Sequence, residues 1–235
     1  MTRRLAIIFD LDGTLVDTET IHAEAESKLL NDFGIKITSE EITRKYAGIP
    51  TESYIKKIVN YNGSLDKLIS KKNQIMHDMV REKGIHPIHG MPELVSYLSS
   101  LSIPIFVASS SSLEWIQKCL DASFQIDGKN YSYGYYFKLN FISCSEVKNP
   151  KPAPDVFLEG KNRMQKQYSF LNDVNAEWIV VGDSLADMKG ALNANMKAFI
   201  WGKFEDKLIK NDNATVFSTP EKLSAYIKNI VKDVK

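Results

Sequence analysis

The chain has 235 residues, and its 30 basic and 29 acidic side chains leave a formal net charge of +1, so no long-range field favours nucleic acid or an anionic membrane as a partner. No apolar stretch is long enough to span a bilayer, and the first apolar run ends at Asp10, too soon for a secretory signal. Two cysteines favour free thiols in a reducing compartment, so we expect a cytoplasmic protein.

The first predicted element is a short buried strand that ends in two acids. The run from Leu5 to Phe9 is apolar throughout. Asp10 and Asp12 follow it, and Gly13 allows a sharp turn. In an open α/β sheet, ligands bind beyond the carboxyl ends of the strands. The two acids therefore belong to a ligand site or only solvate a turn, and this stretch alone does not decide between the two.

The next part of the chain, residues 20–83, follows a helical pattern throughout. Thr38 and Glu41 predict a capping box at the start of its second helix. Helix stops are predicted at Gly34, Gly48-Ile49-Pro50, Gly63 and Gly84. From Ile88 onward strands alternate with helices, which is typical of a parallel sheet covered by helices on both faces.

These patterns predict an α/β protein, in which a Rossmann-like parallel sheet core carries an inserted all-helical cap domain. The core is expected to be discontinuous, formed by residues 1–16 and 88–235, and the cap to span residues 17–87. Residues 124–137, rich in Tyr, Gly, Asp and Asn, are expected to form a loop or a small hairpin. Strands after the first are predicted at 103–108, 139–143, 178–182, 198–201 and 215–218.

Serines follow the predicted strand that ends at Ala108. A hydroxyl beside the unpaired N–H groups of a helix start can bind a phosphate, although serines in this position often only cap the helix. Ser111 and Glu114 predict a capping box of their own. This leaves Ser109 free to act as a phosphate ligand.

Lys151 lies among three prolines that predict an extended, rigid segment. Such a segment would aim the lysine ammonium at a phosphoryl oxygen and at an aspartate. Asp155, a few residues later, is explained more simply as a carboxylate in the first turn of the next helix.

A later apolar strand, predicted to end at Gly182, is also followed by acids. Asp183 comes directly after it, and Asp187 lies one helical turn later on the same face. Both acids are also acceptable helix-start residues. Together with Asp10 and a backbone carbonyl, Asp183 would form a hard oxygen site suited to Mg²⁺.

The sequence resembles the haloacid dehalogenase superfamily of phosphotransferases, and within it the β-phosphoglucomutase-like branch with a helical cap. The resemblance covers nearly the whole chain and rests on four motifs in order: Asp-Leu-Asp-Gly-Thr at 10–14, Ser109, Lys151 before Pro-Ala-Pro-Asp, and Gly-Asp-x-x-x-Asp at 182–187. Relatives on this branch commonly carry Glu-Asp-Ser-x-x-Gly in the last motif. Here Asp187 would be the second acid of the metal site, either as a direct ligand or as a neighbour of one.

The resemblance implies a Mg²⁺-dependent phosphatase of small phosphorylated metabolites, with sugar phosphates first. Asp10 would attack phosphorus to form an aspartyl-phosphate, and Asp12 would carry the proton of the leaving alcohol and of the attacking water. The implied phosphate ligands are Thr14, Ser109, Ser110 and Lys151. The implied metal ligands are Asp10, Asp12 through its carbonyl, Asp183 and Asp187.

Three cap residues are predicted to contact the substrate. Lys72 falls in the apolar stripe of a helix predicted over Leu65–Val80. Its ammonium could reach water past a packed stem, but relatives carry a lysine in a similar context that reaches the substrate. His22 lies on another apolar stripe, either as a core histidine or as a match to a histidine near the hinge in relatives. Thr51 stands where mutases of the branch carry an arginine.

The missing arginine argues against the main alternative, a sugar-phosphate mutase of the β-phosphoglucomutase type. A dehalogenase would give Asp12 no leaving group to protonate. A non-catalytic phosphosugar-binding protein would be expected to lack at least one residue of the catalytic set. We therefore expect a small phosphorylated metabolite as the partner, no nucleic acid or membrane partner, and a monomer.

Overall fold

The computed structural model describes residues 4–46, 51–59, 61, 63–126, 128–202, 204 and 211–232. The chain divides into two compact units, one formed by residues 1–16 and 87–235 and the other by residues 17–86.

The first unit is built around a parallel sheet. The strands in chain order are β1 (Leu5–Phe9), β2 (Ile105–Ser109), β3 (Ser123–Ile126), β4 (Lys129–Ser132), β5 (Phe141–Ser143), β6 (Glu177–Gly182), β7 (Lys197–Trp201) and β8 (Ala214–Phe217). Six of them form one sheet in the order β5-β2-β1-β6-β7-β8, with every pairing parallel. In its middle, Ile7 of β1 lies between Ile105 of β2 and Ile179 of β6. The predicted α/β fold class is confirmed.

The remaining two strands form a separate antiparallel hairpin, in which Phe124 of β3 pairs with Tyr131 of β4. Of the two alternatives predicted for residues 124–137, the hairpin is therefore confirmed. A short helix over Tyr133–Phe137 follows it, which the sequence did not predict.

The helices in chain order are α1 (Glu19–Asp32), α2 (Ser39–Tyr46), α3 (Thr51–Ile58) and α4 (Leu65–Lys83) in the second unit, then α5 (Met91–Ser100), α6 (Leu113–Asp121), α7 (Tyr133–Phe137), α8 (Asp155–Gln167), α9 (Leu185–Asn193) and α10 (Pro220–Ile230) in the first. Short 3₁₀ helices lie at Cys144–Glu146 and Ser169–Asn172. Within the described ranges, no helix combines the length and hydropathy needed to cross a bilayer.

Helices cover both faces of the sheet. Successive strand residues point to opposite sides, so neighbouring residues of β1 contact different helices. Ile8 packs into a buried cluster with Phe157 of α8 and Met188 of α9. Its neighbour Phe9 instead meets Phe137 of α7 edge to face, with ring centroids 6.0 Å apart. The sheet is therefore buried from both sides, and its strand ends are held in a fixed arrangement.

In the second unit, the ends of the helices follow the local sequence signals. The predicted capping box of α2 is confirmed: the Glu41 N–H donates to Thr38 Oγ1 at 3.2 Å, and the Thr38 N–H donates to Glu41 Oε2 at 3.1 Å. Gly34 and Gly84 follow α1 and α4 with left-handed φ values of 76° and 78°. The stop predicted at 48–50 lies outside the described residues.

A buried polar cluster ties three helices of the second unit together. The Lys72 Nζ of α4 lies 3.1 Å from Glu26 Oε1 of α1 and donates to Thr51 Oγ1 of α3 at 2.8 Å. The hydroxyls of Thr51 and Tyr54 donate to the two carboxylate oxygens of Glu26. Burial, followed by the hydrogen bond to Glu26, raises the pKa of the Tyr54 hydroxyl above its ordinary range. These four residues are called the cap cluster below.

The Lys72 side chain is only 7% exposed. The alternative in which its ammonium reaches water past a packed stem is therefore wrong, because the ammonium is bound inside the cap cluster instead. The sequence did not indicate Glu26 as its partner.

Replacing Lys72 by alanine is expected to destabilise the protein, because it leaves the Glu26 carboxylate buried without its counter-charge. We expect the free energy of unfolding to fall by about 3–5 kcal/mol, measured by urea denaturation. The control is the double variant Glu26→Gln/Lys72→Met, which removes both charges and should recover most of the loss. The glutamine amide keeps one acceptor oxygen for a hydroxyl, and its NH₂ group can donate to the other hydroxyl. Equal stability of Lys72→Ala and wild type would contradict the ion pair.

Candidate active site

The candidate site lies at the carboxyl edge of the sheet, where the chain leaves β1, β2 and β6. The Asp10 N–H donates to the carbonyl of Val181 in β6 at 2.8 Å, so the first acid is fixed directly beside the end of that strand. The parallel register places Val107 of β2 on the other side of Phe9. Side chains that follow three separate strands are thereby brought to one place.

Lys151 joins these strand ends. Its ammonium donates to Asp10 Oδ1, to Asp187 Oδ1 and to the carbonyl of Ala108, each at 2.7 Å. Burial lowers the pKa of Lys151, but the charges of Asp10 and Asp187 outweigh this effect and raise its pKa above the ordinary value. The lysine is therefore a fixed cation inside the site.

The three prolines predicted an extended backbone around Lys151, and this prediction is wrong. The Ala153 N–H donates to the carbonyl of Pro150 at 3.0 Å and closes a turn. Proline fixes φ but leaves ψ open, so repeated prolines are compatible with a turn as well as with an extended chain. Asp155 lies in the first turn of α8, as expected.

The Asp10 carboxyl group is under strong electrostatic influence. Its pKa is raised to about 7: burial is the largest cause, the neighbouring Asp187 also raises it, and Lys151 acts in the opposite direction. A divalent cation at this edge would favour the ionised form of Asp10.

The acid cluster of the site consists of Asp10, Asp183 and Asp187, each of which places a carboxylate oxygen within 4.8 Å of the others. An all-oxygen set of this kind suits Mg²⁺, which binds one or two carboxylates and keeps several waters. Both oxygens of Asp187 also accept protein hydrogen bonds, one from Lys151 and one from the Ser184 hydroxyl at 2.5 Å. Asp187 thus also closes the capping box of α9, so its helix-start role and its place in the acid cluster coexist.

Two glycines make room for the acids. Gly13 has a φ of +73°, and a Cβ atom there would lie 2.2 Å from Asp183 Oδ2. At Gly182, a Cβ would lie 2.6 Å from the Cβ of Asp187. Asp187 therefore uses the space that a side chain at 182 would need, which gives a physical reason why glycine and acid have exchanged places in this motif. Thr14, a predicted phosphate ligand, donates its hydroxyl to Asp183 Oδ1 at 2.9 Å.

Asp12 faces a different set of neighbours. Its Oδ2 accepts from the Ser111 hydroxyl at 2.6 Å, with the Ser109 hydroxyl at 3.4 Å, and its Oδ1 accepts from Trp115 Nε1 at 2.9 Å. The structure therefore brings Ser109 beside Asp12. Ser110, the other predicted serine, is exposed, with its hydroxyl 3.8 Å from Cys144 Sγ.

The predicted capping box of Ser111 and Glu114 is wrong. Ser112 caps α6 instead, since its hydroxyl accepts from the Trp115 N–H at 3.3 Å. Four consecutive serines leave the start of the helix ambiguous by one residue in the sequence. The shift turns Ser111 toward Asp12, a contact that the sequence did not indicate.

The three predicted substrate contacts of the cap lie in the second unit. Thr51 and Lys72 belong to the cap cluster, and His22 is half-buried on α1. Their contact with a substrate stays a prediction.

A family model described as haloacid dehalogenase-like hydrolase matches residues 7–201. The chain belongs to this family. The resemblance inferred from the four motifs is thereby confirmed, and so is the prediction of a hydrolase-type enzyme. A 6-phosphogluconate phosphatase of Escherichia coli is 25% identical to this haloacid dehalogenase-like hydrolase over 200 residues, which cover 85% of this chain and 83% of the relative.

A phosphorylated carbohydrates phosphatase of Thermotoga maritima is 24% identical over 237 residues, which cover 96% of this chain and 99% of the relative. A crystal structure from Entamoeba histolytica, of a haloacid dehalogenase hydrolase of family IA, variant 3, matches with a TM-score of 0.75 and 21% identity over 95% of this chain and 99% of that one. At this identity the structural match supports the fold alone.

Replacing Gly13 by alanine is expected to break the acid cluster, because the new Cβ overlaps the Asp183 carboxylate. We expect Mg²⁺ affinity, measured by isothermal titration calorimetry, to fall at least about tenfold, because the displaced Asp183 carboxylate could no longer face the ion in the same orientation. The matched control is Gly128→Ala: Gly128 has a φ of +74° but nothing within 4 Å of its Cβ position, so it carries the backbone strain without the clash. Equal Mg²⁺ affinities of the two variants would contradict this account of Gly13.

Proposed function

We propose that this haloacid dehalogenase-like hydrolase is a Mg²⁺-dependent phosphatase that hydrolyses small phosphorylated metabolites, sugar phosphates first, through an aspartyl-phosphate. The observation that carries the proposal is the buried Lys151 ammonium, which binds Asp10 and Asp187 within the acid cluster. The phosphatase activities of the two curated relatives support the same class of substrate.

Asp10 is the proposed nucleophile. Its carboxylate oxygen would form a bond to phosphorus while the bond from phosphorus to the alcohol oxygen breaks. Water would then attack phosphorus and release inorganic phosphate, which restores the carboxylate. The Lys151 ammonium supports this role because its positive charge favours the ionised, nucleophilic form of Asp10.

Asp12 is the proposed proton carrier. It would give a proton to the departing alcohol and take one from the attacking water, a contribution typically worth about 10²- to 10⁴-fold. The hydroxyl of Ser111 and the indole of Trp115, which both donate to its carboxylate, support a separate role from that of Asp10, which accepts from the Lys151 ammonium. Two carboxylates in different surroundings are a common basis for divided acid–base work.

The proposed phosphate ligands are Thr14, Ser109, Ser110 and Lys151. Phosphoryl transfer depends mainly on positioning and on stabilisation of spread negative charge, which hydroxyls, free N–H groups and an ammonium provide. Asp10, Asp183 and Asp187, with the Asp12 carbonyl, are the residues that would hold Mg²⁺. When bound there, the ion would neutralise negative charge on the transferring group.

The mutase alternative is disfavoured by the cap cluster. A mutase must retain a second phosphate on its substrate, and a cation in the cap would serve that purpose. Position 51 carries a neutral hydroxyl, and the charge of Lys72 is already balanced by Glu26. These observations support release of the product rather than its retention.

The test of the proposed activity is phosphate release from a panel of phosphorylated metabolites, with Mg²⁺ or with a chelator. We expect hydrolysis of sugar phosphates that needs Mg²⁺, and background rates for Asp10→Asn, because the amide is a poor nucleophile. Asp212→Asn, at an exposed position, is the control and should match wild type. Activity that survives Asp10→Asn or the chelator would refute the mechanism, and isomer interconversion without net phosphate release would favour the mutase.

Asp12→Asn is expected to keep substrate and Mg²⁺ binding but to lose about 10²- to 10⁴-fold in kcat, because the amide cannot carry the proton. Steady-state kinetics on the best substrate of the panel, with calorimetry for Mg²⁺, provide the measurement. Near-normal kcat would show that another group moves the proton.

A further inference from the structure

We infer that Trp115 and Ser111 are positioning residues that hold the Asp12 carboxylate in its working orientation. None of the four motifs includes either residue. The inference rests on the proposed function, because it concerns the group to which proton transfer is assigned.

The two oxygens of Asp12 are held from two different elements. Trp115 Nε1, in the first turn of α6, donates to Oδ1 at 2.9 Å. The Ser111 hydroxyl, in the loop between β2 and α6, donates to Oδ2 at 2.6 Å. Because each oxygen has its own donor, rotation of the carboxylate about its last side-chain bond would break at least one strong hydrogen bond.

The indole of Trp115 is placed by its helix. Ser112 caps α6 and accepts the Trp115 N–H, and the side chain is 4% exposed. A buried indole N–H needs an acceptor, and Asp12 supplies one. Phenylalanine would fill most of the same volume but has no N–H donor. The substitution Trp115→Phe therefore removes the hydrogen bond to Asp12 and keeps most of the packing.

Ser111 is itself fixed by its backbone. Its carbonyl accepts from the Ser143 hydroxyl at the end of β5 at 2.7 Å, and its N–H donates to Ser109 Oγ at 3.0 Å. The same short loop thus presents Ser109, the proposed phosphate ligand, and orients Asp12. A rigid support for both groups would keep the proton carrier in register with the phosphoryl group.

Ser111 and Trp115 are neutral donors to Asp12, whereas Lys151 donates to Asp10 as a cation. Neutral donors can orient a carboxylate without adding a second positive charge next to Lys151. This difference in partners is what favours a role in orientation over a role in binding the phosphoryl group.

The kinetic test compares wild type with Trp115→Phe on p-nitrophenyl phosphate at saturating Mg²⁺. We expect kcat to fall about tenfold while KM changes by less than about twofold, because binding is kept and only the orientation of Asp12 is lost. The control is Trp178→Phe, since Trp178 is also buried, at 6% exposure, but lies at the start of β6, away from Asp183. Unchanged kcat in Trp115→Phe would overturn the inference and leave the proposed function standing.

Ser111 gives a second, smaller change. Ser111→Ala should lower kcat in the same way, and Ser111→Thr, which keeps a hydroxyl, should restore most of it. These variants test the inference even where Trp115→Phe does not fold. Equal losses in the Ala and Thr variants would contradict a role for the hydroxyl.

A double-mutant cycle distinguishes positioning from simple support of the fold. In an Asp12→Ala background, Trp115→Phe should cause no further loss of kcat, because the carboxylate it orients is gone. A loss as large as in wild type would show that Trp115 acts on the fold or on another group, and would overturn the inference.

The hydrogen bond itself is testable without turnover. The chain has three tryptophans, so a ¹H–¹⁵N spectrum should show three indole signals, which the Phe variants assign. Asp12→Ala should shift the Trp115 indole signal and leave that of Trp178 in place. A Trp115 signal that does not move would overturn the inference, whereas wild type that releases no phosphate from any substrate would refute the proposed function.

Discussion

The site depends on one ion pair network, in which a single ammonium is surrounded by acids. Carboxylate oxygens within 4.8 Å of one another repel by about 3–4 kcal/mol at an effective dielectric constant of about 20. Lys151 offsets part of this repulsion by binding Asp10 and Asp187 together. The remaining negative charge would favour a bound cation at this edge of the sheet, in line with the proposed Mg²⁺ site.

Much of this arrangement is readable from the sequence, because it follows from short-range signals and one topological rule. Apolar runs that end in Asp10, Ser109 and Asp183 predict strands with polar residues at their carboxyl ends. In a parallel sheet those ends share one edge, so the side chains converge without any knowledge of the packing. The capping box of Thr38 and Glu41 is equally local, since both partners lie within one helical turn.

The residues that the sequence did not reveal depend on contacts between distant elements. Glu26 has no local signal that it neutralises Lys72, because the two lie on different helices. Lys72 stands out in an apolar stripe, but nothing near it in the sequence identifies its partner. Trp115 reads as an ordinary apolar helix position, and only the fold shows its indole against Asp12. Ser111 was assigned to the wrong capping role because a run of serines contains several equivalent helix starts.

The central place of β1 has a consequence for the order in which the protein can form during synthesis. Its neighbours in the sheet come from β2 and β6, far later in the chain, whereas residues 17–86 form a unit from consecutive residues. Pairings of such long sequence separation carry a large loop-closure cost and form slowly. The helical unit can therefore fold before β6 has been synthesised, so we expect the edge of the sheet that carries Asp10 and Asp183 to assemble late.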